Sequence, residues 1–121
     1  MIFAISSTEN HPGGVCDNHF ARSPYFAVYD TKTGDLSFLE NNLRNMPEKA
    51  GPAVVKLLLL LNVGIVVSLD FGEKIRNVLE INKVGMVIIE DNHKTIESII
   101  RTINVQNNPG FLPPIGGIGQ A

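Results

Sequence analysis

A chain of 121 residues in which 44% of the side chains are hydrophobic and 18% are charged predicts one folded domain and excludes a wholly disordered protein. The formal net charge of −2 argues against nucleic acid as a partner, because the basic residues are also scattered singly along the chain. A single cysteine excludes an intrachain disulfide and fits a reducing compartment.

The N-terminal sequence predicts neither a secretion signal nor a membrane anchor. Residues 1–5 lack a basic start, and the chain turns polar at Ser6. The longest apolar run, residues 57–61, is far shorter than the ~20 residues that span a bilayer. We therefore expect a soluble cytoplasmic domain without a membrane partner.

The first part of the chain predicts three strands. Residues 2–5 form a short apolar run typical of a strand buried on both faces. Residues 25–30 and 36–40 are two further β-rich runs. The segment between them, residues 31–35, contains Gly34 and favours a tight turn, so these two strands are predicted to form a hairpin.

The connection between the first two predicted strands, residues 7–24, is longer than the ~12–15 residues of ordinary loops. Loops of this length are either functional or mobile surface segments, and length alone does not decide between them. This loop contains the single cysteine, Cys16, together with His19 and Arg22. It is therefore the first candidate for a functional site.

The first predicted helix covers residues 53–61 and follows Gly51 and Pro52, since proline is tolerated at a first helical position. This helix is apolar nearly all round, so it must be covered on more than one side. The second cover is either the C-terminal part of this chain or another subunit. A homodimer that works as an interaction domain through this helix is therefore one functional hypothesis.

Two strand–helix units follow. Strands are predicted at residues 65–69 and 86–89, where the apolar runs are continuous. The helix between them follows a strand-to-helix junction at residues 70–72. The last helix has a one-sided isoleucine stripe and is predicted to begin at a cap formed by Asp91 or Asn92.

The composition changes after residue 104. Residues 107–110 are predicted to break the last helix, and the Gly/Pro-rich sequence beyond them does not favour regular structure. We therefore expect one α/β domain over residues 1–104 and a flexible C-terminal tail over residues 105–121. The tail nevertheless contains large apolar side chains that could hold it on an apolar surface: Phe111, Leu112, Ile115 and Ile118.

The order of the elements predicts a five-stranded mixed sheet in the order 3-2-1-4-5 with helices on both faces, which is the ribonuclease H-like arrangement. A purely parallel Rossmann sheet is the alternative. In the mixed arrangement the long loop lies at the same edge of the sheet as the starts of all three helices, near Gly51, Phe71 and Asn92. Ligands of open α/β sheets favour this edge, and helix N-termini favour anions. We therefore expect an anionic ligand near Gly51 and Gly72.

The residues of the long loop allow more than one interpretation. Cys16 and His19 are three positions apart, so a thiolate and an imidazole could bind one metal ion or cluster. A four-ligand zinc site normally needs a second such pair, so the spacing can also be incidental. Arg22 either binds an anion or pairs with Asp17.

A metal-dependent hydrolase is another functional hypothesis, because this topology can host two-metal chemistry. Such chemistry needs several acidic residues around paired metal ions. The first strand contains no carboxylate, and Asp70 is the one acidic residue expected at a central strand end. The sequence therefore does not favour this class.

The segment from His19 to Phe26, with the sequence His-Phe-Ala-Arg-Ser-Pro-Tyr-Phe, resembles the signature of the dinitrogenase iron–molybdenum cofactor biosynthesis proteins of the NifX and NifB C-terminal type. Residues 28–30, 50–54 and 64–67 follow in the order and spacing of that family. The resemblance covers residues 1–103.

The resemblance implies a ribonuclease H-like fold and the binding or carriage of an iron–sulfur or iron–molybdenum cofactor or its precursor. His19 matches the motif histidine, which implies a cluster ligand or contact, and Arg22 matches the motif arginine. The leading hypothesis is a small non-enzymatic carrier that receives such a cluster from a donor protein and passes it to an acceptor. In this hypothesis His19 and Cys16 are the metal ligands, and Arg22 together with the backbone N–H groups near Gly51 and Gly72 offsets the negative charge. The role of Cys16 depends only on its proximity to His19.

Overall fold

The computed structural model describes residues 1–107 of the chain. These residues form the following strands and helices: β1 (Ile2–Ser7), β2 (Tyr25–Asp30), β3 (Leu36–Glu40), α1 (Ala50–Leu60), β4 (Val63–Ser68), α2 (Glu73–Ile81), β5 (Gly85–Ile88) and α3 (Ile96–Asn107). Of the predicted tail, residues 105–107 belong to α3, and residues 108–121 lie outside the described residues.

The strands form a mixed sheet in the order β3-β2-β1-β4-β5. β2 is antiparallel to both β1 and β3, whereas β1, β4 and β5 are parallel to one another. Gly34 has a φ of 78° in the turn of the β2–β3 hairpin, a conformation that glycine adopts without a steric penalty. The predicted α/β class, strand order and hairpin are confirmed, and the purely parallel alternative is wrong.

Each face of the sheet has its own core, because successive side chains of a strand point to opposite faces. On β1, Ala4 faces the core that α1 and α2 cover, whereas Phe3 and Ile5 face the core that α3 covers. Both cores consist of side chains that are almost completely buried. Burial of each large aliphatic or aromatic side chain stabilises the folded protein by about 1.5–3 kcal/mol. The sheet is therefore held to helices on both of its faces.

The chain itself covers most of α1. Val54, Val55 and Leu58 are buried against the sheet, and the apolar surface that stays open is at the end of the helix, where Leu60 is 74% exposed. Most of the apolar surface of this helix is therefore covered by other parts of the same chain. None of the helices among residues 1–107 is long and apolar enough to cross a bilayer.

α3 begins later than the sequence predicts. Asp91 is not its cap, because the Asp91 carboxylate accepts the His93 N–H at 2.8 Å and forms a separate turn. The helix begins at Ile96, and Thr95 caps it through its Oγ1, which accepts the Ser98 N–H at 3.1 Å. The predicted cap at Asp91 or Asn92 is therefore wrong.

Candidate functional site

The second half of the long loop is fixed to its surroundings by buried polar side chains. Ser23 Oγ accepts the Ser7 N–H at 3.0 Å, so the end of the loop is tied to the end of β1. The Asn41 side-chain amide donates to the carbonyls of Ala21 and Ser23, both at 2.9 Å. Both Ser23 and Asn41 are buried, where a broken hydrogen bond is costly. The segment that contains Arg22 is therefore an ordered part of the fold.

The first half of the loop binds the N-terminus of α3. The Ile96 N–H donates to the Gly14 carbonyl at 2.9 Å, and the Glu97 N–H donates to the Pro12 carbonyl at 3.0 Å. Because the Ser98 N–H is also paired, with Thr95, the first N–H groups of this helix are occupied by the chain itself. The prediction that all three helix starts are available to an anion is therefore wrong for α3.

A buried hydroxyl pair supports the middle of the loop. Ser6 is the second-last residue of β1 and Ser68 is the last residue of the neighbouring β4, and their Oγ atoms are 2.9 Å apart. Both hydroxyls also lie within hydrogen-bond distance of the Asp17 carbonyl, at 3.1 and 3.2 Å. The sequence interpretation missed this anchor. The available signal was that a serine follows each of two apolar runs whose carboxyl ends meet at one edge of the sheet.

A cleft of about 240 Å³ opens beside this anchor, at the carboxyl edge of β1 and β4. Its lining comes from the long loop and from the start of α2: Asn18, His19, Phe20, Ala21, Arg22, Asp70, Gly72 and Ile75. His19 and Arg22 are both exposed to solvent. Three of the predicted site residues, His19, Arg22 and Gly72, therefore line one open cleft.

One aromatic side chain, that of Phe20, lines the cleft. The Phe20 ring is buried between Phe26 and Phe71. Its centroid lies 5.4 Å from that of Phe26 and 5.3 Å from that of Phe71. These contacts hold the loop residue next to His19 against the residue that precedes Gly72. The position of His19 relative to α2 is thus set by core packing.

Gly51 shapes the cleft from beneath and does not line it. It is buried in the first turn of α1, and a Cβ at this position would collide with Ile75 Cδ1 of the cleft wall. The absence of a side chain therefore allows α1 and α2 to approach closely.

The start of α2 supplies positive potential. Gly72 is the N-cap and offers no side chain, while its carbonyl accepts the Arg76 N–H at 3.0 Å. The backbone dipoles of the helix place about half a positive charge at this end. Glu73 in the first turn and Asp70 in the cleft lining oppose it. The electrostatic character of the cleft is therefore mixed.

Arg22 is held by backbone carbonyls. Its Nη1 donates to the Arg44 carbonyl at 2.6 Å and to the Met46 carbonyl at 2.9 Å. The Asp17 carboxylate instead accepts the His19 N–H at 3.2 Å. The suggested pairing of Arg22 with Asp17 is therefore not the contact that forms. Arg22 joins the cleft to the segment that leads into α1.

Cys16 belongs to the core on the other face of the sheet and is not among the residues that line the cleft. Its Sγ lies 3.6 Å from Ser6 Oγ. Burial raises the pKa of the thiol from 9.0 to about 11, and the Asp17 charge adds to the increase although the Ser6 hydrogen bond opposes it. The thiol is therefore protonated near neutral pH, whereas metal binding needs the thiolate.

Within residues 1–107, no three His, Cys, Asp or Glu side chains are placed together so that they could hold a metal ion. The cleft therefore offers few side chains that could coordinate a metal in a bound molecule, and His19 is the strongest of them.

The family comparison agrees with this geometry. The family model described as dinitrogenase iron-molybdenum cofactor matches residues 1–106. The chain belongs to this family. The resemblance carried by the His19–Phe26 segment is thereby confirmed, and the cleft is built by that same segment in this family member.

Solved structures give the same fold. The apo form of the orange protein from Desulfovibrio gigas has 17% sequence identity and a TM-score of 0.78, over 84% of this chain and 85% of that one. A candidate NifB protein from Thermotoga, of the DUF35 family, has 23% identity and a TM-score of 0.73, over 93% of this chain and 97% of that one. No curated protein matches the sequence.

Proposed function

We propose that this protein is a small non-enzymatic carrier of an anionic iron–sulfur or iron–molybdenum-type cluster or its precursor, which it receives from a donor protein and passes to an acceptor. One observation carries the proposal: an exposed histidine, an arginine and an uncapped helix start line the same open cleft. Membership of the dinitrogenase iron-molybdenum cofactor family supports this class of cargo.

Each part of the cleft has a role in the proposal. His19 supplies an imidazole nitrogen to an iron atom of the cargo, a ligand type that suits iron. The N–H groups at the start of α2, after Gly72, face the negative charge of the cluster. Arg22 adds a whole positive charge, and its two bonds to backbone carbonyls hold it in place. A single strong protein ligand in an open cleft suits a carrier, because the cargo must also leave.

The cleft gives less support to a hydrolase. Asp70 is the one carboxylate among the residues that line it, whereas two-metal hydrolysis needs several. We therefore do not assign a reaction to the site.

Anaerobic reconstitution tests the role of His19. The purified protein is incubated with iron and sulfide without oxygen, desalted, and examined by absorption spectroscopy and by metal and sulfide analysis. We expect wild type to retain cluster and His19→Ala to retain several-fold less. His93→Ala is the matched control, since His93 is also exposed but lies outside the cleft. Equal retention by wild type and His19→Ala, or none by either, would refute the proposal.

Cys16 as a second ligand stays a prediction. The thiol would have to leave the core of the α3 face and lose its proton before it could reach cargo in the cleft. Reconstitution of Cys16→Ser decides the point, because a ligand role requires a loss of cluster comparable to that of His19→Ala.

The homodimer hypothesis has a smaller surface than the sequence suggested. The exposed apolar side chains at the ends of α1 and α2 are Leu60, Leu61 and Ile81. A stable interface buries about 800 Å² on each partner, which is more than three side chains supply. Sedimentation at several protein concentrations tests this alternative, which predicts a concentration-dependent dimer that Leu60→Asp abolishes.

A further inference from the structure

An apolar groove follows α3 on the face of the sheet opposite the cleft. It has a volume of about 240 Å³. Lys94 and Gln106 line it near the two ends of the helix, and its apolar lining comes from the sheet and from α3: Phe3, Val67, Val87, Ile89, Ile99 and Ile103. On the edge strand β5, the groove residue Val87 is 41% exposed.

The groove has a geometric cause. Five strands about 4.8 Å apart make a sheet on the order of 20 Å wide, whereas one helix with its side chains is about 10–12 Å wide. α1 and α2 together cover one face, but α3 is the one helix that residues 1–107 provide for the other. Apolar surface beside α3 is therefore left without cover by the described part of the chain.

We propose that residues 108–121 of this same chain occupy the groove between α3 and β5. Gln106 lines the groove, and the described chain ends one residue later, at the last residue of α3. The occupant therefore begins at the mouth of the site.

The length of the segment suits the groove. α3, along which the groove runs, is about 18 Å long at 1.5 Å per residue. Residues 108–121 can span on the order of 45 Å when extended, which leaves enough chain for a reversal of direction. The sequence Asn108-Pro109-Gly110 supplies the residues that favour a tight turn at the required place.

The chemistry of the segment also suits the groove. Residues 108–121 contain no charged side chain, and they contain four large apolar ones: Phe111, Leu112, Ile115 and Ile118. Pro113 and Pro114 restrict the free chain, which lowers the entropy that docking costs. Docking of residues 108–121 would remove the apolar side chains of the segment and of the groove from water, which is favourable.

A second depression on the other side of α3 fits this occupant less well. It is lined by Glu97 and Arg101, whose side chains are 3.7 Å apart, and by Asn104, which accepts the Tyr29 hydroxyl at 2.6 Å. Charged and hydrogen-bonded groups lose water when apolar side chains cover them. The proposal therefore concerns the β5 side of α3 alone.

Nuclear Overhauser contacts in the full chain with labelled methyl groups test the proposal. We expect contacts from the Phe111 ring and the Ile115 methyl groups to Val87, Ile99 and Ile103. The double variant Phe111→Ser/Leu112→Ser should remove them and accelerate amide exchange in β5 several-fold, whereas the control Gln120→Ser should change neither. A sample that mixes labelled and unlabelled chains distinguishes contacts within one chain from contacts between copies.

Three results would overturn the proposal. The first is that signals of Val87, Ile99 and Ile103 do not change in the double variant. The second is that the contacts appear only between chains, which would identify a second copy as the occupant. The third is that the contacts lead to Tyr29 and Ile100 on the other side of α3. Because the groove and the cleft lie on opposite faces, the outcome is independent of cluster retention by the His19 site.

Discussion

The two faces of the sheet are built differently, and each has a cavity of a different kind. One face is covered by α1 and α2 and encloses the phenylalanine cluster of Phe20, Phe26 and Phe71. The other is covered by α3 over a core that is largely aliphatic and contains Cys16. The well-covered face ends in a cleft at the sheet edge that contains charged and polar side chains, and the thinly covered face leaves a groove lined mainly by aliphatic side chains.

The difference shows how the fold separates binding chemistry from packing. The cleft contains charged and polar side chains because it is made from a loop, a helix start and the ends of strands, where polar groups concentrate. The groove is apolar because it is bare sheet beside a helix. A polar ligand therefore belongs at the edge of the sheet, and an apolar occupant belongs on its face.

The difference between the two faces is tested most strongly at Phe20, whose ring belongs to the core under α1 and α2 and also lines the cleft. We expect Phe20→Ala to lower the free energy of unfolding by about 3–5 kcal/mol, because it removes a buried ring and leaves a cavity. Urea denaturation followed by circular dichroism measures the change. Leu60→Ala, at a side chain that is 74% exposed, is the control and should change stability by less than about 0.5 kcal/mol.

A loss below about 1 kcal/mol in Phe20→Ala would mean that the loop does not depend on the aromatic cluster. Cluster retention by the same variant gives a second readout. If Phe20 positions His19, retention should fall in protein that is still folded in water.

The second face is tested by the pH dependence of Cys16. Its pKa is raised from 9.0 to about 11 by burial, so the unfolded chain loses this proton at a lower pH than the folded protein. The associated stability is present below pH 9 and is lost as the pH rises toward 11. The loss is about 2–3 kcal/mol, since one pKa unit corresponds to about 1.4 kcal/mol.

Urea denaturation at several pH values between 8 and 11 measures this loss as the difference between wild type and Cys16→Ala. The variant has its own cavity cost, but that cost does not depend on pH, so the slope isolates the thiol. Parallel pH profiles for the two proteins would show that the thiol is not buried as a neutral group. They would also restore the motive for assigning Cys16 to the cleft.

The sequence was sufficient for the fold because its signals are local. Apolar runs located all the strands, and Gly34 identified the hairpin turn. The alternation of strands and helices then restricted the topology to few arrangements. The same reasoning placed the His19 loop at the edge of the sheet beside the start of α2, where the cleft lies.

Long-range hydrogen bonds decided the features that the sequence interpretation missed. The carbonyls of Pro12 and Gly14 cap α3 from more than eighty residues away, so the start of that helix was not visible in its own sequence. Arg22 donates to the carbonyls of Arg44 and Met46, which follow β3, although Asp17 is nearer in sequence. Cys16 and His19 are three positions apart, yet one side chain enters the α3 core and the other faces solvent.

The sign of the charge that the cleft prefers is tested at Asp70, where the smallest effect is expected. Asp70 is exposed and lines the cleft, so its carboxylate repels an anionic cargo. We expect Asp70→Asn to bind cluster about 1.4- to fivefold more tightly, as follows from the ~0.2–1 kcal/mol typical of exposed charge pairs. Titration of the reconstituted cluster measures the change, and about 0.5 M salt should reduce it because exposed charges are screened. Asp91→Asn is the matched control, since Asp91 is exposed and lies outside the cleft. Weaker binding in Asp70→Asn would mean that the carboxylate attracts the cargo, and the cleft would then be a cation site.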